Sequence, residues 1–194
     1  DGYTLVFCLP ASVATNQTLY RKLPYDPARD FAPLIQLNTI AILLVGANAL
    51  PVKSVAELIA YAKARPGQLN FASSGNGSAG HLAVGLFALS TGIHMVHVPY
   101  KGGGPALTDT ISGQMHLMAG PMISALPHVK AGRVRGLAMM SPKRNKGLPE
   151  VEAMGETLPG FDASIWHGVL VPRGTPAAIV RRLNSDLNEV LRLP

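Results

Sequence analysis

The clearest chemical signal in this chain is a stretch rich in glycine and serine, Ser73-Ser74-Gly75-Asn76-Gly77-Ser78-Ala79-Gly80-His81. It joins a short apolar run to an apolar pattern of helical period, which predicts a strand-to-helix turn. Glycines let a ligand approach the backbone, and the free N–H groups at a helix N-terminus attract anions. We therefore predict an anion site with Ser73, Ser74 and Ser78 as hydroxyl donors. The alternative is that these serines only cap the helix.

A second turn with similar chemistry is Tyr100-Lys101-Gly102-Gly103-Gly104-Pro105. Its three glycines expose backbone amides, Pro105 suits the start of a helix, and Lys101 supplies a cation. The alternative is a flexible turn with a solvated lysine. Two strand-to-helix turns in successive βα units lie at the same edge of a sheet, which is where open α/β sheets bind ligands. The pair favours a small anionic ligand that is held mainly by backbone amides.

The glycines of the first turn, Gly75, Gly77 and Gly80, also match the dinucleotide-binding pattern G-x-G-x-x-G. That pattern needs an acidic residue about 20 positions later to bind the ribose hydroxyl. The sequence has no Asp or Glu between Glu57 and Asp109. A classical NAD site is therefore disfavoured, and no cofactor is predicted. A nucleotide-dependent enzyme that uses the 75–80 loop stays as an alternative.

Other catalytic and metal-binding patterns are weak. Ser78 precedes Gly80 as in a nucleophile elbow, but Asn76 stands where that motif needs its first glycine. His94 and His97 lie three apart on a predicted strand, so they face opposite sides and cannot share a metal. The single cysteine excludes a cysteine-based metal site. We predict no enzyme, no catalytic residue and no metal.

The elements that must position these turns alternate between strands and helices, which is typical of an α/β fold. The 194 residues are 47% hydrophobic but only 14% charged, against about 25% charged in ordinary domains. The predicted strands are 3–8, one or two within 31–45, 69–72, 95–98, 114–119, 134–140 and 166–171. The predicted helices are 16–21, 55–64, 81–90, one opened by Pro105, 124–131, 150–156 and 176–191, the last with Thr175 and Pro176 as N-cap and N1.

The net charge of +6 does not by itself indicate nucleic acid. The dense basic stretches, Lys130–Arg135 and Lys143–Lys146, carry no interleaved aromatic residues, so a solvated face is favoured over a nucleic-acid patch. The longest nearly apolar run, Ile40–Leu50, has 11 residues, fewer than the ~18 that span a bilayer. We therefore predict a soluble protein without membrane insertion.

Several motifs, which follow one another in order through all 194 residues, resemble the motifs of one protein family. They are Tyr25-Asp26-Pro27-x-x-Asp30-Phe31-Ala32-Pro33, Ser73-Ser74-Gly75-Asn76-Gly77-Ser78-x-x-His81-Leu82, Val98-Pro99-Tyr100-Lys101-Gly102, Leu148-Pro149-Glu150-Val151 and Gly174-Thr175-Pro176. This pattern is similar to the Bug/TctC family, the extracytoplasmic solute-binding proteins of tripartite tricarboxylate transport systems.

The resemblance implies a type II periplasmic-binding-protein-like fold, in which two α/β domains joined by hinge strands close over a carboxylate-bearing solute. Domain 1 would comprise residues 1–41 and 168–194, and domain 2 residues 42–167. The family's opening strand would precede Asp1 and further chain would follow Pro194, so domain 1 is expected to be incomplete here. The resemblance also implies an exported, periplasmic monomer that works with membrane transporter subunits or a sensor.

The resemblance implies ligand contacts from both domains. Domain 2 would contribute the two glycine-rich turns, and domain 1 the loop 9–12, which is less polar here than is usual in the family. The residues expected to contact the solute are Ser12, Ser73, Ser74, Gly75, Asn76, Gly77, Ser78, His81, Tyr100, Lys101, Gly102 and Gly103. Gly120 stands where the family often has an acidic residue, which argues against an amino-acid ligand.

The leading hypothesis is therefore a periplasmic solute-binding protein for an organic acid, either a di- or tricarboxylate or an aromatic carboxylate. Two alternatives stay open at this point. One is the nucleotide-dependent enzyme, and the other is a periplasmic sensory protein that binds a similar ligand.

Overall fold

A computed structural model describes residues 2–193, so the predicted domain ends at Asp1 and Pro194 lie outside the described residues. The chain divides into two compact units. Unit 1 comprises residues 2–40 and 165–193, and unit 2 is Ala41–Ser164. That these units are the two domains of the family, with boundaries at 41/42 and 167/168, stays a prediction.

Strands and helices alternate along most of the chain. The strands are β1 (Val6–Cys8), β2 (Phe31–Ile40), β3 (Ile42–Gly46), β4 (Asn70–Ser73), β5 (Val96–Pro99), β6 (Leu117–Pro121), β7 (Arg135–Met139) and β8 (Ile165–Pro172). The helices are a π-helix (Ala11–Thr15), α1 (Asn16–Leu19), α2 (Pro27–Asp30), α3 (Val55–Ala64), α4 (Ala79–Thr91), α5 (Gly103–Ile111), α6 (Met122–Lys130), α7 (Met154–Thr157) and α8 (Ala177–Val190).

Unit 1 is an antiparallel three-stranded sheet in the order β1-β8-β2. Its apolar cluster is small: Leu34, Val169 and Val171 are buried against half-buried side chains of α8. Asn184 of α8 also donates to the carbonyl of Leu34 at 2.7 Å, which fixes the helix on β2. Several large apolar side chains of this unit stay exposed, Phe7 among them at 60%. Unit 1 therefore rests on few buried contacts.

Unit 2 contains a five-stranded sheet in the order β5-β4-β6-β3-β7. Strand β4 runs parallel to β5 and β6, whereas β3 runs antiparallel to β6 and β7. The inner strand β3 is buried along its whole length, in keeping with its unbroken apolar sequence. The carboxyl ends of β4, β5, β6 and β7 therefore share one edge, and β3 begins at that same edge.

The connections at this edge leave toward both faces of the sheet. The steps β4-to-β5 and β5-to-β6 run in opposite directions across the sheet, so right-handed crossovers place α4 and α5 on opposite faces. Residues of α5 and α6 pack in one apolar cluster with Leu43 and Met118. Helix α4 thus begins on one face of the sheet, and α5 and α6 begin on the other. The end of β4 lies at the switch point between them, where α/β sheets bind ligands.

Several predicted bounds are corrected by the structure. The strand predicted at 3–8 is only Val6–Cys8, and the helix predicted at 16–21 is the π-helix followed by α1. The helix predicted at 150–156 shrinks to Met154–Thr157. At the last helix Pro176 is the N-cap, in extended backbone, and Ala177 is the first helical residue. Short elements shift in this way because few local hydrogen bonds define their ends.

Candidate functional site

The first glycine-rich turn is held by its own hydrogen bonds. Ser73 at the end of β4 is buried, and its Oγ accepts from the N–H of Gly75 at 3.1 Å and donates to the Gly75 carbonyl at 3.0 Å. Gly75 and Gly77 have positive φ angles of 131° and 73°, a region that is costly for residues with a Cβ. Ser74 and Asn76 are exposed. The Ser73 hydroxyl thus shapes the turn, whereas Ser74 and Asn76 are open to a ligand.

Helix α4 begins two residues before the predicted start at His81, because Ser78 is its N-cap. The Ser78 Oγ accepts from the N–H of His81 at 3.4 Å. Ser78 therefore caps the helix, as the alternative interpretation of these serines has it, while its predicted contact with a ligand stays a prediction. Helix geometry leaves the first N–H groups, those of Ala79 and Gly80, without partners inside the helix. These two donors lie at the edge of the sheet where β4 ends.

The second glycine-rich turn opens α5 earlier than predicted. Gly102 is the N-cap with a φ of 112°, and the helix begins at Gly103, so Pro105 is its third residue. Proline is tolerated there because the first turn of a helix needs no N–H donor to an earlier carbonyl. The N–H groups of Gly103 and Gly104 are the free donors of this helix end. The structure thus places two amide pairs at the ends of the parallel strands β4 and β5.

The electrostatics of this edge favour an anion. Helices α4, α5 and α6 have no acidic residue in their first turns, so no carboxylate neutralises the positive ends of their dipoles. The side chain of Lys101, between β5 and α5, is exposed. The edge therefore combines amide donors with one cation at the second turn.

A third helix N-terminus lies at the same edge, because the helix predicted at 124–131 begins at Met122, directly after β6; its place beside the two glycine-rich turns was not predicted. Strand β6 ends at Pro121 and α6 starts at Met122 with no intervening loop. The N–H of Met122 donates to the carbonyl of Ala41 at 2.9 Å, which ties this helix end to the start of β3. The Gly120-Pro121 pair is a turn signal that could have indicated it.

Tyr100 uses its hydroxyl within unit 2. The hydroxyl donates to Oδ2 of Asp109, a residue of α5, at 2.6 Å. This hydrogen bond is the main reason that the pKa of Tyr100 is raised, and burial adds to the effect. The N–H of Tyr100 donates to the carbonyl of Ser73 at 3.0 Å and so joins the two turns. The geometry gives Tyr100 a role in positioning the turns, and its predicted contact with solute stays a prediction.

Replacing Tyr100 by phenylalanine separates these two roles. We expect Tyr100→Phe to lower the free energy of unfolding by about 1 kcal/mol, because one hydrogen bond to a carboxylate is lost. Carboxylate affinity should stay within about twofold of wild type, since the hydroxyl is already engaged. Urea unfolding and calorimetry measure the two quantities. A large loss of affinity with unchanged stability would instead place the hydroxyl in the ligand site.

Two histidines meet beside the first turn. The rings of His81 on α4 and His97 on β5 stack with centroids 3.9 Å apart, and Phe71 on β4 stacks on His97 at 4.8 Å. His97 Nε2 lies 2.6 Å from Ser73 Oγ, and the N–H of Gly77 donates to His81 Nδ1 at 3.0 Å. Burial lowers the pKa of both imidazoles, and the charge of His81 further lowers that of His97. Sequence reasoning named His81 but missed His97 in this role.

Ser12 does not lie in a loop as predicted but within the π-helix Ala11–Thr15 of unit 1. Its side chain is half-buried, and its carbonyl accepts from the hydroxyl of Tyr25 at 2.8 Å. The other predicted contacts all belong to unit 2. The contribution of Ser12 to ligand binding therefore stays a prediction.

A family model described as "Tripartite tricarboxylate transporter family receptor" matches residues 1–194. The chain belongs to this family. Protein BugT of Bordetella pertussis is 37% identical over 194 residues, which cover 99% of this chain and 60% of BugT. The resemblance predicted from the sequence motifs is thus confirmed.

Solved structures of similar proteins confirm the predicted fold class. A protein from R. palustris, solved with adipate, is 41% identical with a TM-score of 0.86, over 96% of this chain and 63% of that one. MatC from Rhodopseudomonas palustris, solved with bound malate, is 31% identical with a TM-score of 0.84, over 100% of this chain and 66% of MatC. The chain therefore spans about 60% to 66% of the length of these relatives.

Membership of a receptor family bears on the remaining alternatives. The family description is that of a receptor and not an enzyme, which agrees with the prediction of no enzyme. The third glycine of the nucleotide pattern, Gly80, packs against the backbone of Ala119, as helix-to-strand packing requires. At the end of β5, where a dinucleotide site has its acidic residue, the chain has Tyr100 and Lys101. The nucleotide-dependent enzyme is therefore not supported.

The basic stretches of this family member are partly used inside the fold. Arg135 donates from Nη1 to the carbonyls of Leu50 at 3.0 Å and Val52 at 2.7 Å. Arg144 binds both carboxylate oxygens of Glu156, at 2.7 Å and 2.8 Å. These arginines therefore hold loops together. Across residues 2–193, no helix combines the length and the hydropathy needed to cross a bilayer.

Proposed function

We propose that this receptor-family chain binds a small organic acid, with a dicarboxylate favoured, through the amides at the N-termini of α4 and α5. The observation that carries the proposal is the meeting of these two helix ends at the carboxyl edge of parallel strands, without an acidic residue in either first turn. Amides and helix dipoles of this kind bind carboxylates without an arginine clamp. The bound adipate and malate of the two solved relatives support a dicarboxylate ligand.

The proposed contacts with the ligand are of three kinds: backbone amides, one cation and polar side chains. The amides of Ala79, Gly80, Gly103 and Gly104 would bind carboxylate oxygens, and Lys101 would add a long-range attraction. The exposed side chains of Ser74 and Asn76 would complete the hydrogen bonds of the ligand. The absence of a carboxylate at Gly120 leaves no partner for an ammonium group there, so we propose an organic acid in preference to an amino acid.

The family supports a proposal for the biological setting. We propose that the protein acts outside the cytoplasmic membrane, in the periplasm, as a monomer, and delivers its ligand to the membrane subunits of a tripartite tricarboxylate transporter. A sensory role with the same ligand chemistry is the second candidate within the family. The family description as a transporter receptor supports delivery to a transporter.

Thermal shift and calorimetry with a panel of acids test the binding proposal. At about 100 times its Kd, a ligand should add about 2.7 kcal/mol of stability, or roughly 5–10 °C in Tm for a chain of this size. Adipate and malate are the first probes, and adipamide and 1,6-diaminohexane are the uncharged and cationic controls. Binding of the controls alone, or of no acid in the panel, would overturn the proposal.

A further inference from the structure

The stacked pair His81–His97 lies where three elements meet. His81 is in the first turn of α4, His97 is in the edge strand β5, and the two rings are nearly parallel at 14°. Phe71 of β4 pairs with His97 in the strand register, and its ring lies 4.8 Å from that of His97 and 6.4 Å from that of His81, nearly parallel to both. The pair therefore packs against a side chain of the neighbouring strand.

Each imidazole holds one end of the Gly75–Ser78 turn. His81 Nδ1 accepts the N–H of Gly77 at 3.0 Å, so the neutral ring must carry its proton on Nε2. His97 Nε2 lies 2.6 Å from the Ser73 hydroxyl, which in turn binds the N–H and the carbonyl of Gly75. The conformation of this turn thus depends on two hydrogen bonds made by histidines.

Protonation of His81 is incompatible with this arrangement. An imidazolium at His81 has no lone pair for the N–H of Gly77, and two donors would face each other. Two imidazolium rings 3.9 Å apart would also repel each other. His81 lies at the positive end of the dipole of α4, which opposes a further positive charge. Burial lowers the pKa of both groups, and the charge of His81 further lowers that of His97, in the direction that these contacts require.

The neighbouring elements offer no compensating carboxylate. His81 is the only titratable residue of α4, and β3, β4 and β6, which pack against α4, contain none. His97 is the only titratable residue of β5. Beyond β5 come Tyr100 and Lys101, and the hydroxyl of Tyr100 binds Asp109. The charges around the pair therefore favour two neutral rings.

We propose that His81 and His97 form an acid-sensitive clasp on the Gly75–Ser78 turn. Neutral rings keep the turn closed and its helix amides aligned, and acidification opens the turn and weakens carboxylate binding. The effect on carboxylate binding rests on the proposed function, whereas the opening of the turn does not. The clasp also assigns His97 as a positioning residue for the site.

Hydrogen exchange of the Gly77 amide tests the clasp without a ligand. Between about pH 8 and about pH 4.5, a range that extends well below an ordinary histidine pKa because the pKa of both rings is lowered, we expect the protection factor of this amide to fall at least about tenfold. In His81→Asn, whose side-chain oxygen accepts a hydrogen bond but does not titrate, the protection should persist across this range. His116→Asn is the matched control, because His116 Nδ1 also accepts a backbone N–H, that of Asn70 at 3.0 Å, outside the stacked pair. Wild-type protection that does not change with pH would overturn the proposal.

Calorimetry with adipate and malate over the same range tests the functional consequence. We expect wild type to lose about tenfold more affinity on acidification than His81→Asn, since the titration of the ligand itself cancels in this comparison. Equal losses in the two proteins would overturn the release of carboxylate. No binding by wild type at about pH 8 would count against the proposed function. Hydrogen exchange of the Gly77 amide would still test whether the clasp opens on acidification.

Discussion

Replacing Gly80 by alanine is expected to lower the free energy of unfolding by about 3 kcal/mol and the Tm by roughly 6–12 °C. A Cβ at this position would collide with the carbonyl oxygen of Ala119 and lie 2.9 Å from its carbonyl carbon. Both atoms belong to the backbone of β6, so neither can move aside as a flexible side chain would. Helix α4 would have to shift away from the sheet, and its N-terminal amides would shift with it.

The same helix offers a matched control in Gly85. A Cβ on Gly85 would meet nothing within 4 Å, so Gly85→Ala should raise the free energy of unfolding by about 0.5–1 kcal/mol through helix propensity. Urea unfolding of the two variants measures the contrast. If both substitutions stabilise the chain, the close packing of α4 on β6 is wrong.

Replacing Gly104 by glutamate is expected to weaken carboxylate binding by about 10- to 100-fold while the fold becomes more stable. Gly104 lies in the first turn of α5, and a Cβ at this position would meet nothing within 4 Å. A glutamate there suits the helix dipole and removes a helical glycine, for a gain of about 1 kcal/mol. It also places a negative charge beside the amides that would hold the ligand, and like charges repel.

Gly104→Gln is the control for this prediction, since it adds the same bulk and helix propensity without the charge. We expect Gly104→Gln to bind adipate or malate at most a few-fold more weakly than wild type. Calorimetry at low and high salt would show whether the loss in Gly104→Glu is screened, as an electrostatic effect must be. Equal affinities of the two variants for the acid would show that the N-terminus of α5 is not part of the binding site.

The two glycine-rich turns could be predicted because their chemistry is local. At Gly77 and Ser78, for example, a glycine at positive φ, a serine N-cap and an apolar helix follow one another directly. Such a turn can therefore be recognised from a continuous stretch of sequence. The parallel βα units then place both turns at one edge of the sheet through a general rule of topology. The family motifs lie in these same segments, so the resemblance and the physical argument identify the same residues.

The roles of His97 and Tyr100 could not be predicted in this way, because they depend on contacts between distant parts of the chain. The Phe71–His97 pairing is set by the register of β4 and β5, and the stacking on His81 needs α4 to pack closely through Gly80. A sequence pattern does not contain that register. The prediction that His94 and His97 lie on one strand is wrong, because β5 begins at Val96, and that argument did not indicate the aromatic stack of His97.

Unit 1 shows a different limit of sequence reasoning. The segment around Ser12 was expected to be a loop, yet it forms a π-helix, a rare conformation that residue preferences do not predict. The unit buries few apolar side chains, so its short elements are weakly specified by hydrophobic pattern. The bounds predicted for β1 and for the helix at 16–21 were accordingly inaccurate, whereas those of β8 and α8 differ from the structure by one residue at each end.

The most direct test of carboxylate binding by helix-end amides is an NMR titration of the chain, labelled with nitrogen-15, with adipate and then with malate. Saturable shifts should be largest at the amides of Ala79, Gly80, Gly103 and Gly104, and they should be absent with adipamide. Saturable binding that leaves these four amides unshifted, with the largest changes elsewhere in the chain, would contradict it.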